Sequence, residues 1–383
     1  LRASLISAAL VAALVGFGST IALVLAAAAA LGATPAQTTS WVLAVCLAKA
    51  AGSAFLSMQA RVPVVLAWST PGAALMAATQ GVTMAEAVGA FLLAGGLIAL
   101  TGALRPLGRV VAMIPDGIAA GMLAGVLLPF CLRVAGAAEA LPLLVLPVVL
   151  VFALVRLVNP ALAVLAALAC GVALAFAGPA TLPDLRFSLP ALTFIAPEFR
   201  PGVLLGLGVP LYLVTMASQN LPGFATLRAA GYEPPVRAAL GVTGGLSALA
   251  ALFGGHTVNM AAITAAICLG DEVHPDRNQR WKVGLVYGAA WLALGLLGPV
   301  LLMIITALPG PLVTAIVGLA LLAALTGALT AAFAQPSQRF AAVVTLTVSA
   351  SGVAAFGIGA AFWGLLAGLA VFGIEQVKAR RAL

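Results

Sequence analysis

The chain has 383 residues, of which 63% are hydrophobic and 7% charged; 18 Lys and Arg stand against 10 Asp and Glu, a formal charge of +8. Ordinary soluble domains carry roughly 45–50% apolar and about 25% charged residues, so a water-soluble enzyme or binding module is excluded. The basic excess lies singly or in pairs at the ends of apolar stretches, where it reads as membrane topology rather than as a nucleic-acid surface.

About 20 apolar residues cross a hydrocarbon core of ~30 Å. Taken in order, apolar runs bounded by Pro, Gly and charge predict helices over 7–31, 39–58, 62–80, 84–104, 115–134, 140–157 and 161–178. The first is too long for a secretory h-region and leads directly into another span, so it is read as a retained helix without a cleaved leader. A polar, Pro-rich connector at 181–201 follows, then helices over 202–220, 235–254, 256–270, 281–306, 311–334, 340–355 and 358–376. The fold class expected is an all-α polytopic membrane protein with about fourteen spans. Pro222 to Tyr232 reads as a loop, and Cys46, Cys131, Cys170 and Cys268 fall in apolar segments without metal-site spacing.

Basic residues collect on the cytoplasmic side of a membrane protein. With fourteen spans, Arg2, Arg61, Arg105, Arg109, Arg156, Arg228, Arg237, Arg277, Arg280, Lys282, Arg339, Lys378, Arg380 and Arg381 share the side of the termini, and Arg133, Arg186 and Arg200 fall opposite. This distribution predicts cytoplasmic termini in a bacterial inner membrane and makes 181–201 extracytoplasmic. Lys49 lies inside a span.

The halves carry matching punctuation. Gly16-Phe17-Gly18 opens the first span as Gly206-Leu207-Gly208 opens the eighth; Ser69-Thr70-Pro71-Gly72 corresponds to His256-Thr257-Val258-Asn259; and Ile114-Pro115-Asp116-Gly117 corresponds to Leu308-Pro309-Gly310-Pro311. Seven spans is an odd number, so a second copy is upside down, as in many secondary transporters. Residues 1–180 and 202–383 are the expected repeats.

Spans three and ten are unusual. Arg61 to Trp68 is β-branched and contains Pro63, and Ser69-Thr70-Pro71 then supplies an N-cap and a proline for the first helical turn. Gly254-Gly255-His256-Thr257 similarly precedes a helix expected over Val258 to Leu269. Irregular backbone is tolerated at that depth only where it is buried in protein or lines a cavity. Two helix tips near the midplane would attract an anion by about 2 kcal/mol each at ~4 Å and an effective dielectric of about 20. Dehydrating a carboxylate costs several kcal/mol, so side-chain donors or a proton must assist.

The candidate donors are Ser69, Thr70, Gln219, Asn220, His256, Thr257 and Asn259, each with capping or interhelical bonding as its alternative role. Trp68 and Tyr212 are candidates to sandwich a flat ring, or to pack. For proton coupling the candidates are His256, the one histidine within a span, with Asp116 and Lys49 as rivals. Asp116 is also placed to complement a helix dipole, and Lys49 to pair with an acid such as Asp116. A proton is the expected coupling ion, with no cofactor and no metal.

These residues carry a resemblance. Gln59-Ala60-Arg61-Val62-Pro63 running into Ala67-Trp68-Ser69-Thr70-Pro71-Gly72-Ala73, then Ala217-Ser218-Gln219-Asn220-Leu221-Pro222-Gly223, and Gly254-Gly255-His256-Thr257-Val258-Asn259-Met260 resemble the benzoate:proton symporter family, BenE. That family is similar in turn to the uracil-permease fold. The resemblance implies a core domain from spans 1–4 and 8–11, a gate domain from spans 5–7 and 12–14, and a site between half-helices three and ten. It implies a secondary transporter importing benzoate or a related aromatic carboxylate with a proton. The nucleobase carriers of that fold place acids in spans eight and ten, where this chain has Ser218-Gln219 and His256; losing them suits an anion. An anion channel or exchanger, or a nucleobase transporter, is the alternative. The partners expected are the substrate and the bilayer, with homodimerisation left open.

Overall fold

The computed structural model describes residues 2–104, 113–178, 180–185, 187–261, 263–356 and 358–381. Arg105, Arg109 and Arg186 lie outside them.

Helix α1 (Ala3–Gly18) and helix α2 (Ile21–Ala30) divide the first expected span, which breaks at Ser19-Thr20. The Ser19 and Thr20 amides turn back onto the Val15 and Phe17 carbonyls, and the Thr20 hydroxyl pairs with that of Thr70 at 2.8 Å. Gly16-Phe17-Gly18 therefore ends a helix in mid-span instead of opening one. Helix α3 (Pro35–Ala60) starts from a capping box between Thr34 and Gln37 and stops at Arg61, which adopts a left-handed φ of 54° with its guanidinium over the Trp281 ring.

Strand β1 (Leu66–Trp68), helix α4 (Thr70–Ala77) and helix α5 (Met84–Ala103) follow, α5 entered through a second capping box, Thr83 with Glu86. Next come α6 (Asp116–Ala140), α7 (Pro142–Val158) and α8 (Ala163–Ala177).

Helix α9 runs over Pro201–Ala229 and contains two wider π turns, Leu204–Gly208 and Met216–Asn220. It continues through Pro222, so the segment expected as a loop is helical to Ala229. The π turn just before Pro222 shifts the hydrogen-bond register where the ring offers no N–H.

Helix α10 (Val236–Ala251), strand β2 (Val258–Met260) and the short helix α11 (Ile263–Ile267) come next. A helix was expected from Val258; the chain is extended there and becomes helical five residues later. Helices α12 (Val283–Leu296) and α13 (Gly298–Thr306) replace the single helix expected over 281–306, with a bend of 59°. Pro299 explains the bend, since its ring opposes the carbonyl four residues back. Helices α14 (Gly310–Ala334), α15 (Arg339–Ala350) and α16 (Ala360–Arg381) complete the chain.

Among the described residues, seven helical stretches are long and apolar enough to cross a membrane, or eight if the bent segment counts as one span. The architecture is that of a mostly helical, multi-pass membrane protein. Helices α1 to α5 pack with α9, α10 and α12 around the two strands, whereas α6 packs with α14 and α15, α7 with α8, and α15 with α16. Thinner contacts, α4 with α6, α2 with α14 and α1 with α8, join these groups.

Candidate functional site

Strands β1 and β2 pair antiparallel in the register Leu66 to Met260, Ala67 to Asn259 and Trp68 to Val258. Val62, Pro63, Val64 and Val65 favour extended backbone, and Gly254 supplies the left-handed turn, φ 85°, that releases the chain from α10. A two-stranded ribbon leaves its outer edges unpaired, which inside a membrane is costly. Here helices cover both edges with hydroxyls and an amide. Ser53 Oγ accepts from the Leu66 amide at 3.0 Å, Ser57 Oγ accepts from Val64 at 3.0 Å and donates to its carbonyl at 2.9 Å, and Tyr287 donates to the Leu66 carbonyl at 2.8 Å. On the other edge Ser247 Oγ accepts from Val258 at 2.8 Å and Asn220 Oδ1 accepts from Met260 at 2.9 Å.

The ribbon brings the two interrupted spans together: the Ser69 amide donates to the Thr257 carbonyl at 3.1 Å and the Ala261 amide to Val65 at 3.1 Å. The two strands begin 192 positions apart, at Leu66 and Val258. The helix tips are less open than expected. In α4, Pro71 has no N–H, Ser69 Oγ takes the Gly72 amide at 3.1 Å, and the Ser69 carbonyl takes Ala73 at 2.8 Å. What the tip offers is the Thr70 amide and the dipole. Helix α11, at five residues, adds a weaker dipole from farther along the chain.

Two cavities meet in front of α4. The inner one, about 150 Å³, is bounded by Thr20, Lys49, Trp68, Thr70, Gln219 and Tyr287 on one side and by Pro160, Ala161 and Ala320 on the other. The outer one, about 540 Å³, runs between α6 and α14 to Asp116 and Gln335 at the helix ends. Both are bounded by Pro71, Gln219, Ala323 and Ala324. Gln219 sits in the second π turn of α9, which aims it into this junction.

Of the residues singled out in the sequence, Trp68, Thr70, Lys49 and Gln219 thus share the inner cavity, and Asp116 lines the outer one as the first residue of α6. The others serve the scaffold behind it. Ser69 caps α4 and accepts from Thr215 at 3.2 Å; Thr257 bonds Thr215 at 2.9 Å; Asn220 holds β2. With its side-chain amide oriented so that the nitrogen faces the Met260 carbonyl, Asn259 donates to that carbonyl and accepts from the Ser69 amide, each at 3.0 Å. Tyr212 turns away from both cavities to the Thr101 hydroxyl at 2.6 Å.

His256 is fully buried and lines neither cavity. Its Nδ1 accepts from the Trp41 indole at 2.8 Å, which leaves the ring proton on Nε2, an atom without a partner. The ring stacks on Trp68 at 6.4 Å. Lys49 is equally buried, with Nζ 2.8 Å from the Trp291 ring centre and 4.5 Å from that of Trp68. A desolvated cation–π contact contributes ~2 kcal/mol, less than the several kcal/mol lost in dehydrating an ammonium. The aromatic faces alone therefore do not offset burial of the charge. Asp116, the acid considered as its partner, belongs to the other cavity.

Trp41, Trp291, Thr215, Tyr287 and the serines of α3 and α10 were not singled out from the sequence. The serines carried a usable signal, since Ser53 and Ser57 lie four residues apart, on one face of a membrane helix beside a segment that cannot be helical.

Residues 1–374 match the family model BenE, benzoate membrane transport protein. The chain is 42% identical over 357 residues to the inner membrane protein YdcO of Escherichia coli K12, covering 93% of this chain and 91% of that protein. It is 35% identical over 343 residues to the benzoate membrane transport protein of Acinetobacter baylyi, covering 89% and 87%. Among solved structures it is similar to the transmembrane domain of a cyanobacterial bicarbonate transporter, BicA, with TM-score 0.60, 15% identity, and 96% and 98% of the two chains covered. It is also similar to the murine Slc26a9 anion transporter in the inward-facing state, with TM-score 0.58, 16% identity, and 97% and 68% covered. At those identities the likeness is one of fold. A cavity beside a paired strand ribbon in a multi-pass bundle, and a family match over nearly the whole length, lead to one assignment: the chain belongs to the BenE family of benzoate membrane transport proteins and is a transporter.

Proposed function

We propose that the protein imports benzoate or a related aromatic carboxylate together with a proton, by alternating access in the bacterial inner membrane. The observation that carries this reading is the inner cavity, bounded by the Trp68 ring, the Thr20 and Thr70 side chains and Gln219 on one side and by Ala161, just before α8, and small residues of α14 on the other. An aromatic wall suits a flat ring, and the hydroxyls, the amide and the dipole of α4 suit a carboxylate.

The fourteen-span, seven-plus-seven reading is supported by the two strand–helix interruptions 192 positions apart and by their antiparallel pairing. Spans 1–4 and 8–11 form the core and spans 5–7 and 12–14 the gate, a division supported by the packing of α6 to α8 and α14 to α16 apart from the strands. With cytoplasmic termini, the outer cavity faces the cytoplasm, an inward-open shape. Rocking of gate against core would close it and expose Thr70 and Gln219 to the other side. One proton per monoanion removes the roughly 2.3 kcal/mol per 100 mV that opposes anion entry into a negative interior. His256, Asp116 and Lys49 are the groups available to hold it.

Uptake of labelled benzoate into proteoliposomes, with and without an inward proton gradient, tests this. Accumulation that follows the gradient is expected; gradient-independent flux overturns symport, and flux without preference for benzoate overturns the substrate. Anion exchange or conduction is the second reading, favoured by the fold shared with a bicarbonate transporter and an anion transporter.

A further inference from the structure

Six buried side-chain polar atoms have no partner among the described residues, and three of them, Lys49 Nζ, His256 Nε2 and Trp291 Nε1, gather around Trp68. Trp291 packs edge-on to Trp68 at 5.3 Å, His256 stacks on it at 6.4 Å, and Lys49 Nζ lies 4.5 Å from its centre. All three are donors, His256 because its Nδ1 already accepts from Trp41. Buried donors short of good acceptors are ordinarily an expensive arrangement. Serines, asparagines and a tyrosine satisfy the backbone of the same ribbon almost group by group, so the shortage is confined to this one wall.

Lys49 is the member of the cluster that lines the inner cavity, beside Thr20, Thr70 and Gln219. Among the described residues no carboxylate lies within ion-pair distance of it, the ion pairs found being Arg200 with Glu86 and Arg280 with Asp271. We propose that Lys49 Nζ is the ion-pair partner of the transported carboxylate, and so the residue that selects a monoanionic aromatic acid over a neutral ring. This inference rests on the substrate reading given above. When Lys49 holds a proton, no protein anion balances it, and one negative charge on the cargo does. A neutral nucleobase or an aromatic amide leaves it unmatched, and a second carboxylate finds no second cation. The space bounded by Trp68, Ala320, Ala323 and Ala324 is left for the ring once the carboxylate is turned toward Nζ.

The test is equilibrium binding to the purified full-length protein in detergent, with benzoate and its neutral isostere benzamide as probes, for wild type and Lys49→Met. Wild type is expected to prefer benzoate strongly, and Lys49→Met to lose about 100-fold or more in benzoate affinity, with the preference over benzamide collapsing. Benzoate binding within threefold of wild type in Lys49→Met overturns the role of Lys49. Absence of benzoate binding by wild type overturns the substrate reading instead. Should Lys49→Met not yield folded protein, a structure of wild type with 4-iodobenzoate decides. The iodine marks the ring orientation, and a carboxylate within hydrogen-bond distance of Nζ supports the proposal, whereas the iodine end at Nζ overturns it.

Discussion

The Trp41 indole donates to His256 Nδ1 across 2.8 Å, joining α3 to the segment that precedes β2. The bond fixes the imidazole as a neutral ring with its proton on Nε2 and holds it against Trp68. A second proton on Nδ1 breaks that bond, so charging His256 and releasing Trp41 are one event. His256→Ala is expected to abolish proton-driven accumulation of benzoate while leaving some counterflow. Trp41→Phe, which frees Nδ1, is expected to alter the dependence of uptake on external pH. Unchanged accumulation in His256→Ala removes this residue from coupling.

Gln219 reaches the junction of the two cavities from a π turn. A hydrogen bond to a charged group is worth about 1.5–3 kcal/mol, so Gln219→Ala is expected to raise the half-saturation concentration for benzoate at least about 10-fold. Initial-rate uptake over a range of substrate concentrations measures this, and an unaltered value argues against contact.

Ser247 Oγ accepts from the Val258 amide at 2.8 Å in a fully buried setting. Ser247→Ala leaves that amide without an acceptor and is expected to cost about 1–3 kcal/mol of stability. A lower melting temperature in detergent is the readout, and no shift means that the strand edge finds another acceptor.

Gly16 borders the inner cavity, and a Cβ there would lie 3.2 Å from Cζ2 of Trp291. Gly16→Val, larger still, is expected to displace the indole and block uptake while the protein remains folded. Full transport by Gly16→Val shows that the ring has room to move.

Arg200 and Glu86 form a contrasting pair. Their 2.8 Å bridge joins a carboxylate already used in a capping box to a guanidinium that is half exposed. Glu86 is buried but keeps the Thr83 amide as a donor, and the half-exposed guanidinium is screened by solvent, so the bridge contributes about 1 kcal/mol. Arg200→Gln is therefore expected to leave benzoate uptake and melting temperature close to wild type, and a large loss of either contradicts that.

Much of the scaffold was legible because membrane physics writes it into composition: an apolar run long enough to cross, ended by charge or proline, leaves little choice. The interruption before Thr70 was readable because Pro63 and the valines rule out a helix. The one after Gly254 was misplaced because Val258, Asn259 and Met260 carry no helix-breaking signal; they are extended because β1 needs a partner. Lys49 stood out as a charge inside a span, yet its aromatic enclosure depends on Trp291, more than 200 residues away. His256 likewise gives no hint in sequence that Trp41 occupies its Nδ1. Periodicity reports which face of a helix is buried, whereas such pairings arise only when distant helices meet.

The second π turn of α9 makes the aim of Gln219 a matter of chain length as well as of side chain. Each residue of an α-helix advances the face by about 100°, so removing one residue between Met216 and Asn220 would swing everything on one side of the deletion by that angle. A deletion ahead of Gln219 would turn it out of the cavity mouth and take Asn220 from the Met260 amide together. The surplus residue thus sets the angle at which two neighbouring side chains meet a moving cargo on one side and a fixed strand on the other.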